Sequence, residues 1–445
     1  MWFRRDLRLS DHPAVNQAAA DADEVVSLFV FDPRLIAAAG TPRRAYLQRS
    51  LRSLDDDLED TLVLRHGDPV ECVADVARTA GATSVHVSAD FGPYGAQRDV
   101  AVEQALAEHG IALVRTGSPY AVAPGRVTKP DGSPYRVYSP YYRSWTTHGW
   151  RPPAEDAQVT WVRPVDSDGY PQPPDVDVDV DVALPVAGES AALQRWAEFR
   201  SNQIDGYRDE RNRPDLDSTS RLSVHLKFGE LHPRTLLAEL GDAPAHETFR
   251  KELAWREFYA DVLHHQPESA RDYLRPEFAS MRYDRGPVAE ERLRAWQLGR
   301  TGYPIVDAGM RQLLAEGWMH NRVRMIVASF LVKDLHLEWQ QGARWFMRCL
   351  VDGDLASNAH GWQWTAGCGT DAAPYFRVFN PLLQGEKFDP SGDYVRRYVP
   401  ELRHLPGTQV HQPWSAPGGL DGGYPAPIVD HATERAESLA RYAAL

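Results

Sequence analysis

The chain has 445 residues with a hydrophobic fraction of 43%, which allows two or three domains with substantial cores. Its formal net charge of -13 excludes a protein covered in basic surface, although a local basic cleft is compatible with that charge. The three cysteines lie far apart and offer neither a disulfide framework nor metal-ligand spacing, so we expect no metal site and a reducing cytoplasm. No apolar run is long enough to span a membrane.

The first part of the chain alternates short apolar runs with amphipathic segments. Strands are predicted at Val25–Phe31, Thr61–Leu64, Ser84–Val87 and Ile111–Val114, and helices at Arg43–Leu58, Val70–Thr79 and Asp99–Glu108. This alternation predicts a doubly wound, parallel, Rossmann-like sheet over residues 1–125. The segment has neither a G-x-G-x-x-G nor a P-loop pattern, which disfavours a nucleotide-binding enzyme working through this sheet.

Residues 126–190 have a different composition. Tyr135–Trp150 is rich in tyrosine and tryptophan and is predicted to form a short helix, and Pro152–Pro185 is dense in Pro, Asp and Val. Its run of alternating Asp and Val has the period of a strand, but the acidic face and flanking prolines favour an extended connector between two domains.

From residue 191 to the end, the pattern is helical and predicts an all-α second domain. Helices are predicted at Phe249–His264, Pro304–Glu316, Met319–Leu335 and Gln341–Val351. Embedded among them is Asp352–Pro381, which shows neither a sustained helical period nor alternation. Its mixture of glycines, amides, carboxylates and aromatic residues indicates the wall of a cofactor pocket, and the alternative is a glycine-rich loop between helices.

Three further groups of residues carry possible chemistry, each with a plainer alternative. The hydroxyls around Arg221 in residues 219–223 suit an anionic diphosphate, but a helix N-cap is the better interpretation of these residues alone. Glu252 beside Trp255 could hold a flat, hydrogen-bonding base; alternatively Trp255 is a core residue and Glu252 forms a surface pair with Arg256. Arg324 is suited to pair with a carboxylate such as Asp352.

Six motifs, in order along nearly the whole chain, resemble the DNA photolyase and cryptochrome family. They are residues 2–12, 219–223, 255–259, 301–307, 318–325 and 352–381. Within the family the chain is most similar to a class I cyclobutane pyrimidine dimer photolyase, because Asn321 and Met325 stand where six-four photolyases and animal cryptochromes carry histidines. The alternative is a blue-light photoreceptor of the cryptochrome type that repairs nothing, which the set of Glu252, Trp255, Met325 and Trp364 disfavours.

The resemblance implies bound FAD, reduced in the active state. It implies that the diphosphate and ribityl region is held by Tyr207, Thr219, Ser220, Arg221, Leu222 and Ser223. It implies that the isoalloxazine ring is lined by Asn321, Arg324, Asp352, Gly353, Asp354 and Leu355, with Asn358 facing flavin N5. A neutral amide at Asn358 cannot donate a proton as an acid does, which favours the fully reduced anion.

The resemblance also implies the reaction, in which light drives an electron from reduced FAD to a dimer flipped out of damaged DNA. Trp255 and Trp364 would sandwich the dimer, Glu252 would hydrogen-bond a pyrimidine edge, and Asn321 and Met325 would touch it. Phosphates would be bound by Arg211, Arg256, Arg322 and Arg377. A monomer is expected.

Reduction of the flavin is expected to proceed through aromatic side chains. Trp362 matches the donor next to the flavin and Trp339 the middle one. Tyr283 is the first candidate for the outer donor; the alternatives are Trp296, Trp318 or a chain that stops at two.

An antenna dye in the N-terminal domain is also implied. Arg43 and Asp90 resemble the deazaflavin-binding version more than the methenyltetrahydrofolate-binding one. The alternative for both residues is an exposed surface charge.

Overall fold

The structure is a computed structural model that describes residues 1–171, 182–371 and 376–445. Most of the predicted Asp-Val repeat of the connector and Ala372–Tyr375 of the glycine-rich segment therefore lie outside the described residues. The architecture combines an N-terminal α/β region with a C-terminal helical region, as predicted.

Two compact units divide the chain. The first contains the described residues of Met1–Val180, Leu184–Asp205 and Ser220–Pro267, and the second those of Asp181–Ala183, Gly206–Thr219 and Glu268–Leu445. The predicted domain boundaries, after residues 125 and 190, do not coincide with these compact units. The predicted domains therefore stay a prediction.

All the paired strands of the first unit run parallel, which confirms the predicted sheet type. The strands are β1 (Trp2–Phe3), β2 (Val25–Val26), β3 (Leu28–Phe31), β4 (Val63–His66), β5 (Ser84–Val87), β6 (Ala112–Arg115) and β7 (Trp161–Val162). They form ladders in the orders β1-β3-β4, β2-β7 and β5-β6, with Leu28 opposite both Trp2 and Val63.

The predicted single strand Val25–Phe31 is interrupted at Ser27, whose hydroxyl donates to the carbonyl of Thr61. Residues before Ser27 pair with β7 and residues after it pair with β1 and β4. One apolar run thus serves two ladders, and part of the predicted connector supplies a strand to the first unit.

Helices α1 to α6 accompany these strands. They are α1 (Pro13–Asp21), α2 (Pro33–Ala38), α3 (Thr41–Asp57), α4 (Pro69–Thr79), α5 (Pro93–Ala107) and α6 (Tyr138–His148). Proline occupies the first turn of several of them because its missing N–H would have no partner there and its φ is already helical. The carboxylates of Asp32 and Asp68 cap α2 and α4 by accepting from the backbone N–H groups of Arg34 and Val70, each at 2.9 Å.

The remaining helices follow in chain order. They are α7 (Glu189–Asn202), α8 (Tyr207–Glu210), α9 (Ser223–Phe228), α10 (Pro233–Ala238), α11 (Pro244–His265), α12 (Pro287–Gln297), α13 (Pro304–Glu316), α14 (Asn321–Ser329), α15 (Trp339–Cys349), α16 (Leu355–Ala366), α17 (Pro381–Phe388), α18 (Asp393–Tyr398) and α19 (His431–Ala443). The predicted helix Met319–Leu335 is divided, because Phe330–Asp334 forms a π-helical turn after α14. Among the described residues, none of the helices combines the length and the apolar character that crossing a bilayer requires.

The expectation that residues 352–381 lack helical structure is wrong over α16. Its buried residues lie on one broad side of the helix and include three polar side chains: Ala356, Ala359, His360, Trp362, Gln363, Thr365 and Ala366. Because polar residues lie on the buried side while Leu355 is exposed and Trp364 is half-buried, the 3.6-residue period is weak in its sequence. The core of the second unit includes Trp296, Trp339, Phe346 and Trp362.

Candidate active site

An ion pair lies at the centre of the candidate site in the second unit. Asp352 Oδ2 accepts a hydrogen bond of 2.7 Å from a terminal nitrogen of Arg324, whose Nε donates to the carbonyl of Met319 at 2.7 Å. The Asp352 side chain is 2% exposed and that of Arg324 is 25% exposed. The predicted pair is therefore present, and Arg324 is held at both ends of its guanidinium.

The second oxygen of Asp352 is buried and accepts no hydrogen bond from the described residues. A buried carboxylate oxygen without a donor costs free energy, because it has lost its water and gained nothing in return. This atom indicates a place for a ligand that carries an N–H or O–H group.

Two more polar residues are fixed at the amino-terminal end of α16. Asp354 is the N-cap, with its carboxylate accepting from the backbone N–H of Ser357 at 3.0 Å. One turn further, the side-chain amide of Asn358 donates to the carbonyl of Ala343 at 3.0 Å. Since one N–H of the Asn358 amide is used in this way, the orientation of the amide is set by the protein itself.

The first turns of α14 carry three of the predicted residues. The imidazole of the N-cap residue His320 accepts from the backbone N–H of Arg322, whose guanidinium donates twice to Asn212 Oδ1, at 3.1 and 2.8 Å. Asn321 is exposed and Met325, one turn later, is half-buried, so both are accessible from one side of the helix.

Trp362 and Trp364 on α16 face different surroundings. Positions two apart on a helix are separated by about 200° around its axis. Trp362 is buried and packs edge-on against Phe346 and Trp296, with ring centroids 5.0 and 6.0 Å away. Trp364 is half-buried and lines a small cavity. One helix thus presents an indole to the core and another to an accessible pocket.

A buried lysine lines the same cavity as Trp364. Lys333 lies in the π-helical turn, donates to the carbonyl of Arg377 and has its ammonium 4.3 Å from the ring centroid of Phe376. Burial lowers the pKa of Lys333 to about 7, an effect that Cys368 and Asp334 partly oppose. Lys333 is therefore mostly protonated only below neutral pH. Arg377, which also lines the cavity, is exposed.

Lys333→Met should flatten the pH dependence of stability. The folded-state pKa of Lys333 is about 7, below its unfolded value of 10.5, so the cost of the buried ammonium is full below pH 7 and vanishes above pH 10.5. The free energy of unfolding of the parent should therefore rise with pH in this window, more steeply than that of the variant. Urea denaturation at several pH values measures both slopes.

Lys387→Met is the control: it removes an exposed ammonium that also lies over an aromatic ring, and it should keep the parent slope. Parallel curves for Lys333→Met and the parent would contradict this prediction.

The predicted electron donors lie in the second unit. Trp339 begins α15 and is 1% exposed; its ring is edge-on to Tyr273, with centroids 6.2 Å apart. Tyr283 stacks on Tyr273, at 6.5 Å and an interplanar angle of 19°. Gly342, one turn after Trp339, permits the packing of Trp362, because a Cβ there would overlap the Trp362 ring.

The two alternative candidates for the outer electron donor, Trp296 and Trp318, lie in different environments from Tyr283. Trp296 is fully buried, and its indole N–H donates to the carbonyl of Val327 at 2.9 Å. Trp318 is half-buried and lies edge-on to His320 at 6.3 Å.

The residues predicted to hold the diphosphate are divided between the units. Tyr207, with Arg211 over its ring at 5.9 Å, and Thr219 belong to the second unit. In the first unit, the carbonyl of Ser220 accepts from Arg195, and Arg221 has a φ of +53°, in the left-handed region that side chains disfavour.

The interpretation of these hydroxyls as a helix N-cap is wrong. Leu222 occupies the N-cap position of α9, and no side chain caps that helix. Ser220 Oγ instead accepts from the backbone N–H of Leu222 within the turn, at 3.4 Å. The left-handed residue in this turn is the kind of local strain that often marks a functional site.

The alternative that makes Trp255 of α11 an ordinary core residue does not hold. Trp255 is half-buried, and one face of its ring is covered by Tyr138, with centroids 3.6 Å apart and planes 8° apart. The guanidinium of Arg256 donates to the carbonyls of Pro119 and Leu226 and lies over Tyr120, and the alternative pairing of Arg256 with Glu252 stays a prediction. Sequence reasoning missed Tyr138 as the partner of Trp255, and the only signal was the tyrosine-rich stretch around it.

The interpretation of Arg43 and Asp90 as exposed surface charges is also wrong. Arg43 is buried and donates to the carbonyl of Ala38 at 3.0 Å. Asp90 accepts from the backbone of Gly92 and from Arg98. Burial alone would raise the pKa of Asp90, but nearby arginines, including Arg98, outweigh it and hold that pKa below its usual value.

Comparisons with known proteins place these features in context. Residues 1–158 match the family model described as DNA photolyase, and residues 249–444 match that described as the FAD binding domain of DNA photolyase. The chain is 39% identical to a deoxyribodipyrimidine photo-lyase of Agrobacterium fabrum, over 100% of this chain and 97% of that one.

Solved structures give the same result. The crystal structure of a bacterial class III photolyase from Agrobacterium tumefaciens is similar with a TM-score of 0.90 and 39% identity, covering 100% of this chain and 96% of that one. The structure of a cryptochrome from Synechocystis is similar with a TM-score of 0.89 and 27% identity, covering 98% and 97%. The fold alone therefore does not distinguish a repair enzyme from a light receptor. The distinction depends on the residues of the site.

Proposed function

The chain belongs to the DNA photolyase family, and from this premise we propose that Arg324, Asp352 and Asn358 hold the flavin in its second unit. It is a deoxyribodipyrimidine photo-lyase, an enzyme that repairs DNA in the light, and FAD is its cofactor. When bound, FAD supplies the light-driven electron that splits the cyclobutane ring of a pyrimidine dimer.

The main support for the flavin site is Asp352 Oδ1, a buried oxygen that accepts no hydrogen bond from the described residues. FAD presents ring N–H groups, and the buried Asp352 oxygen without a donor is the type of partner such a group requires. Arg324 orients this carboxylate through a charge-assisted hydrogen bond. Asn358, which is fixed on the Ala343 carbonyl, would orient its amide towards the same ring without being able to act as an acid.

The half-buried ring of Trp364 supports a stacking site for the lesion. An aromatic face accepts any base and contributes about 1–3 kcal/mol per stacked base, and a damaged base pair costs less to open than an intact one. Trp364 is half-buried, so its ring is held firmly while part of it stays accessible. Asn321 and Met325 on α14 keep their predicted roles as neighbours of the dimer.

Residues of the first unit keep their predicted roles as part of the proposal. Trp255 has one face stacked on Tyr138, which rigidifies the ring and leaves only its other face for a base. Glu252 lies one turn before Arg256 on the same helix and would hydrogen-bond a pyrimidine edge.

Four arginines would contact DNA phosphates: Arg211, Arg256, Arg322 and Arg377. Arg322 and Arg256 already donate to Asn212 and to backbone carbonyls respectively, so their guanidinium groups are fixed in the protein. Arg377 is exposed. Each phosphate contact releases counterions, so the affinity for DNA should fall steeply with salt in spite of the net charge of -13.

Dark binding followed by illumination separates repair from light reception. An oligonucleotide with one thymine dimer should bind more tightly than the undamaged strand in the dark, and blue light should convert it to the undamaged form and release it. A photoreceptor would show no preference for the lesion. Equal binding of both strands, with dimers intact after illumination, would contradict the repair function.

Glu252→Ala should lower the repair yield per absorbed photon while flavin is retained. Without the carboxyl group, the negative charge that develops on the dimer loses a hydrogen-bond partner, and Glu252→Gln should restore part of the yield because an amide still donates. The yield is measured on pre-reduced protein, with flavin content from absorbance. Asp242→Ala removes an exposed carboxylate just before the same helix and serves as the control. An unchanged yield in Glu252→Ala would remove the role assigned to this residue.

The antenna and the assembly state complete the proposal. We propose a second chromophore in the first unit, near the buried Arg43 and the half-buried, arginine-flanked Asp90. Its assignment as a deazaflavin rather than methenyltetrahydrofolate rests on the family resemblance. We also propose a monomer that works in the cytoplasm. The absorption spectrum of the purified protein distinguishes the two dyes.

A further inference from the structure

The side-chain amide of Gln363 on α16 is buried and hydrogen-bonded at both of its polar atoms. Its nitrogen donates to the carbonyls of Ser269 and Asp272, at 2.9 and 3.2 Å, and its oxygen accepts from the backbone N–H of Leu274 at 2.8 Å. Only one orientation of the amide fits, because turning it over would set its oxygen against two carbonyls and its nitrogen against an N–H group. Gln363 is 0% exposed, and it fastens α16 to the segment of residues 269–274.

The backbone carbonyl of Gln363 organises the end of the same helix. It accepts from the N–H groups of Gly367, Cys368 and Gly369, at 3.0, 3.1 and 2.9 Å. A Cβ at Gly369 would lie 2.6 Å from the backbone nitrogen of Trp364, so only glycine lets the chain return this closely. Gln363 thus binds a segment that precedes the helix and the turn that follows it, and Trp364 is its immediate neighbour.

The ring of Trp364 is not held by another ring. Trp255, the other indole proposed to stack on the dimer, is held by Tyr138, with ring centroids 3.6 Å apart. Among the residues that the structure describes, no aromatic ring stacks on Trp364 in this way, and its side chain lines a small cavity instead. The direction of the Trp364 ring therefore depends on the backbone that carries it, and that backbone is fixed at Gln363.

The packing of Trp362 does not make this hydrogen bonding redundant. Trp362 is held in the core by Phe346 and Trp296, which restrains α16 on one side. Consecutive positions on a helix are separated by about 100° around its axis, so Gln363 restrains a different side. A helix that is held on one side only can still tilt about that contact, and the Gln363 amide prevents this movement.

We propose that Gln363 is a positioning residue for lesion recognition: its amide, held by residues 269–274, sets the direction in which the Trp364 ring meets a flipped-out pyrimidine dimer. The inference rests on the proposed function, in which Trp364 stacks on the dimer, and it extends that function to a buried residue that acts through its neighbour. Contacts of arginines with phosphates do not involve Trp364, so the loss should be in discrimination between damaged and undamaged DNA rather than in DNA affinity as a whole.

Two variants of Gln363 remove its hydrogen bonds in different ways. In Gln363→Glu, the protonated carboxyl group keeps one donor and one acceptor, whereas the ionised form has no donor and would face the carbonyls of Ser269 and Asp272. Burial raises the pKa of a carboxyl group, so this variant should pass from the neutral to the ionised form as the pH rises through that raised pKa. Gln363→Leu cannot form these hydrogen bonds at any pH.

Other ionisable groups lie near this amide and are the same in the parent and in both variants. Burial lowers the pKa of Lys333 to about 7 and that of His360 to about 4, and it raises the pKa of Cys368 to about 12. Asp272 and Arg275 belong to the segment that is bound to the end of α16. Each variant is therefore compared with the parent at the same pH.

The test is the ratio of two dissociation constants of the holoprotein, for an undamaged strand and for the same strand with one thymine dimer, measured in the dark at several pH values and fixed salt. Relative to the parent, Gln363→Leu should lose about tenfold in this ratio at every pH, which is of the order that one stacked base contributes. Gln363→Glu should stay near the parent at low pH and lose a similar factor at high pH. Affinity for the undamaged strand and flavin content from absorbance should remain at the parent level. Gln341→Glu adds the same charge at a half-buried position of α15, and as the control it should keep the parent ratio at every pH.

Parent discrimination in Gln363→Glu at high pH, or an equal loss at low and high pH, would overturn the inference. A parallel loss of flavin content and of affinity for both strands would also overturn it, because it would show a role in stability alone. If Gln363→Leu does not fold, the pH series of Gln363→Glu decides by itself. A parent protein that binds both strands equally, or that leaves dimers intact in the light, would instead contradict the proposed function, so the two failures are distinguishable.

Discussion

Arg324→Met should yield a protein that is purified largely without flavin. The substitution leaves Asp352 as a buried carboxylate without its cation, and breaking a buried pair costs about 3–5 kcal/mol. Because the Arg324 side chain is one-quarter exposed, we expect the lower end of that range for the free energy of unfolding. The flavin-to-protein ratio from absorbance and urea denaturation of the flavin-free protein measure the two effects.

Two further variants distinguish the loss of stability caused by the unpaired Asp352 charge from the loss of flavin binding. Arg322→Met, two residues away and bound to Asn212, should keep the parent flavin content because it does not touch Asp352. Arg324→Met combined with Asp352→Asn should recover stability, since no uncompensated charge remains, but not flavin. Full flavin occupancy in Arg324→Met would show that the pair does not serve the cofactor.

Trp362→Phe should nearly abolish reduction of the oxidised flavin by light while leaving repair by chemically reduced protein intact. Trp362 is the only predicted donor next to the flavin, and phenylalanine retains a ring against Phe346 but cannot be oxidised under these conditions. Photoreduction is followed by absorbance in the presence of an external thiol, and repair is followed separately on protein reduced with dithionite.

Trp296→Phe is the matched control for this prediction. Trp296 is equally buried and touches the Trp362 ring, so its replacement causes a similar loss of core volume. It should retain photoreduction. Equal loss of repair in pre-reduced Trp362→Phe would contradict the separation of electron supply from repair, and would indicate damage to the site.

Local rules were sufficient for the regular elements and for the ion pair. The leucines of α3 and the first-turn prolines define their helices, since these signals are contained in a few consecutive residues. The pairing of Arg324 with Asp352 was also predicted, from the chemistry of the two side chains and from the family resemblance.

Other features depend on contacts that the sequence does not display. Helix α16 has only a weak amphipathic period, because polar residues such as His360 and Gln363 are buried while Leu355 is exposed. The strand run at Val25–Phe31 divides at Ser27 because of a hydrogen bond to Thr61, 34 residues later. The stacking of Tyr138 on Trp255 joins residues more than a hundred positions apart, and so no local pattern could indicate it. The contact of Tyr273 with Trp339 likewise joins residues that are 66 positions apart (339 − 273).

A single flash on a dark-formed complex is the most direct test of light-driven repair. Pre-reduced protein is mixed in the dark with an oligonucleotide that carries one thymine dimer, and the strand is analysed before and after one saturating blue flash. We predict that the dimer persists in the dark and is split after the flash, in an amount that does not exceed the bound flavin. A complex that contains reduced flavin and bound lesion, yet returns the dimer intact after the flash, would contradict the account.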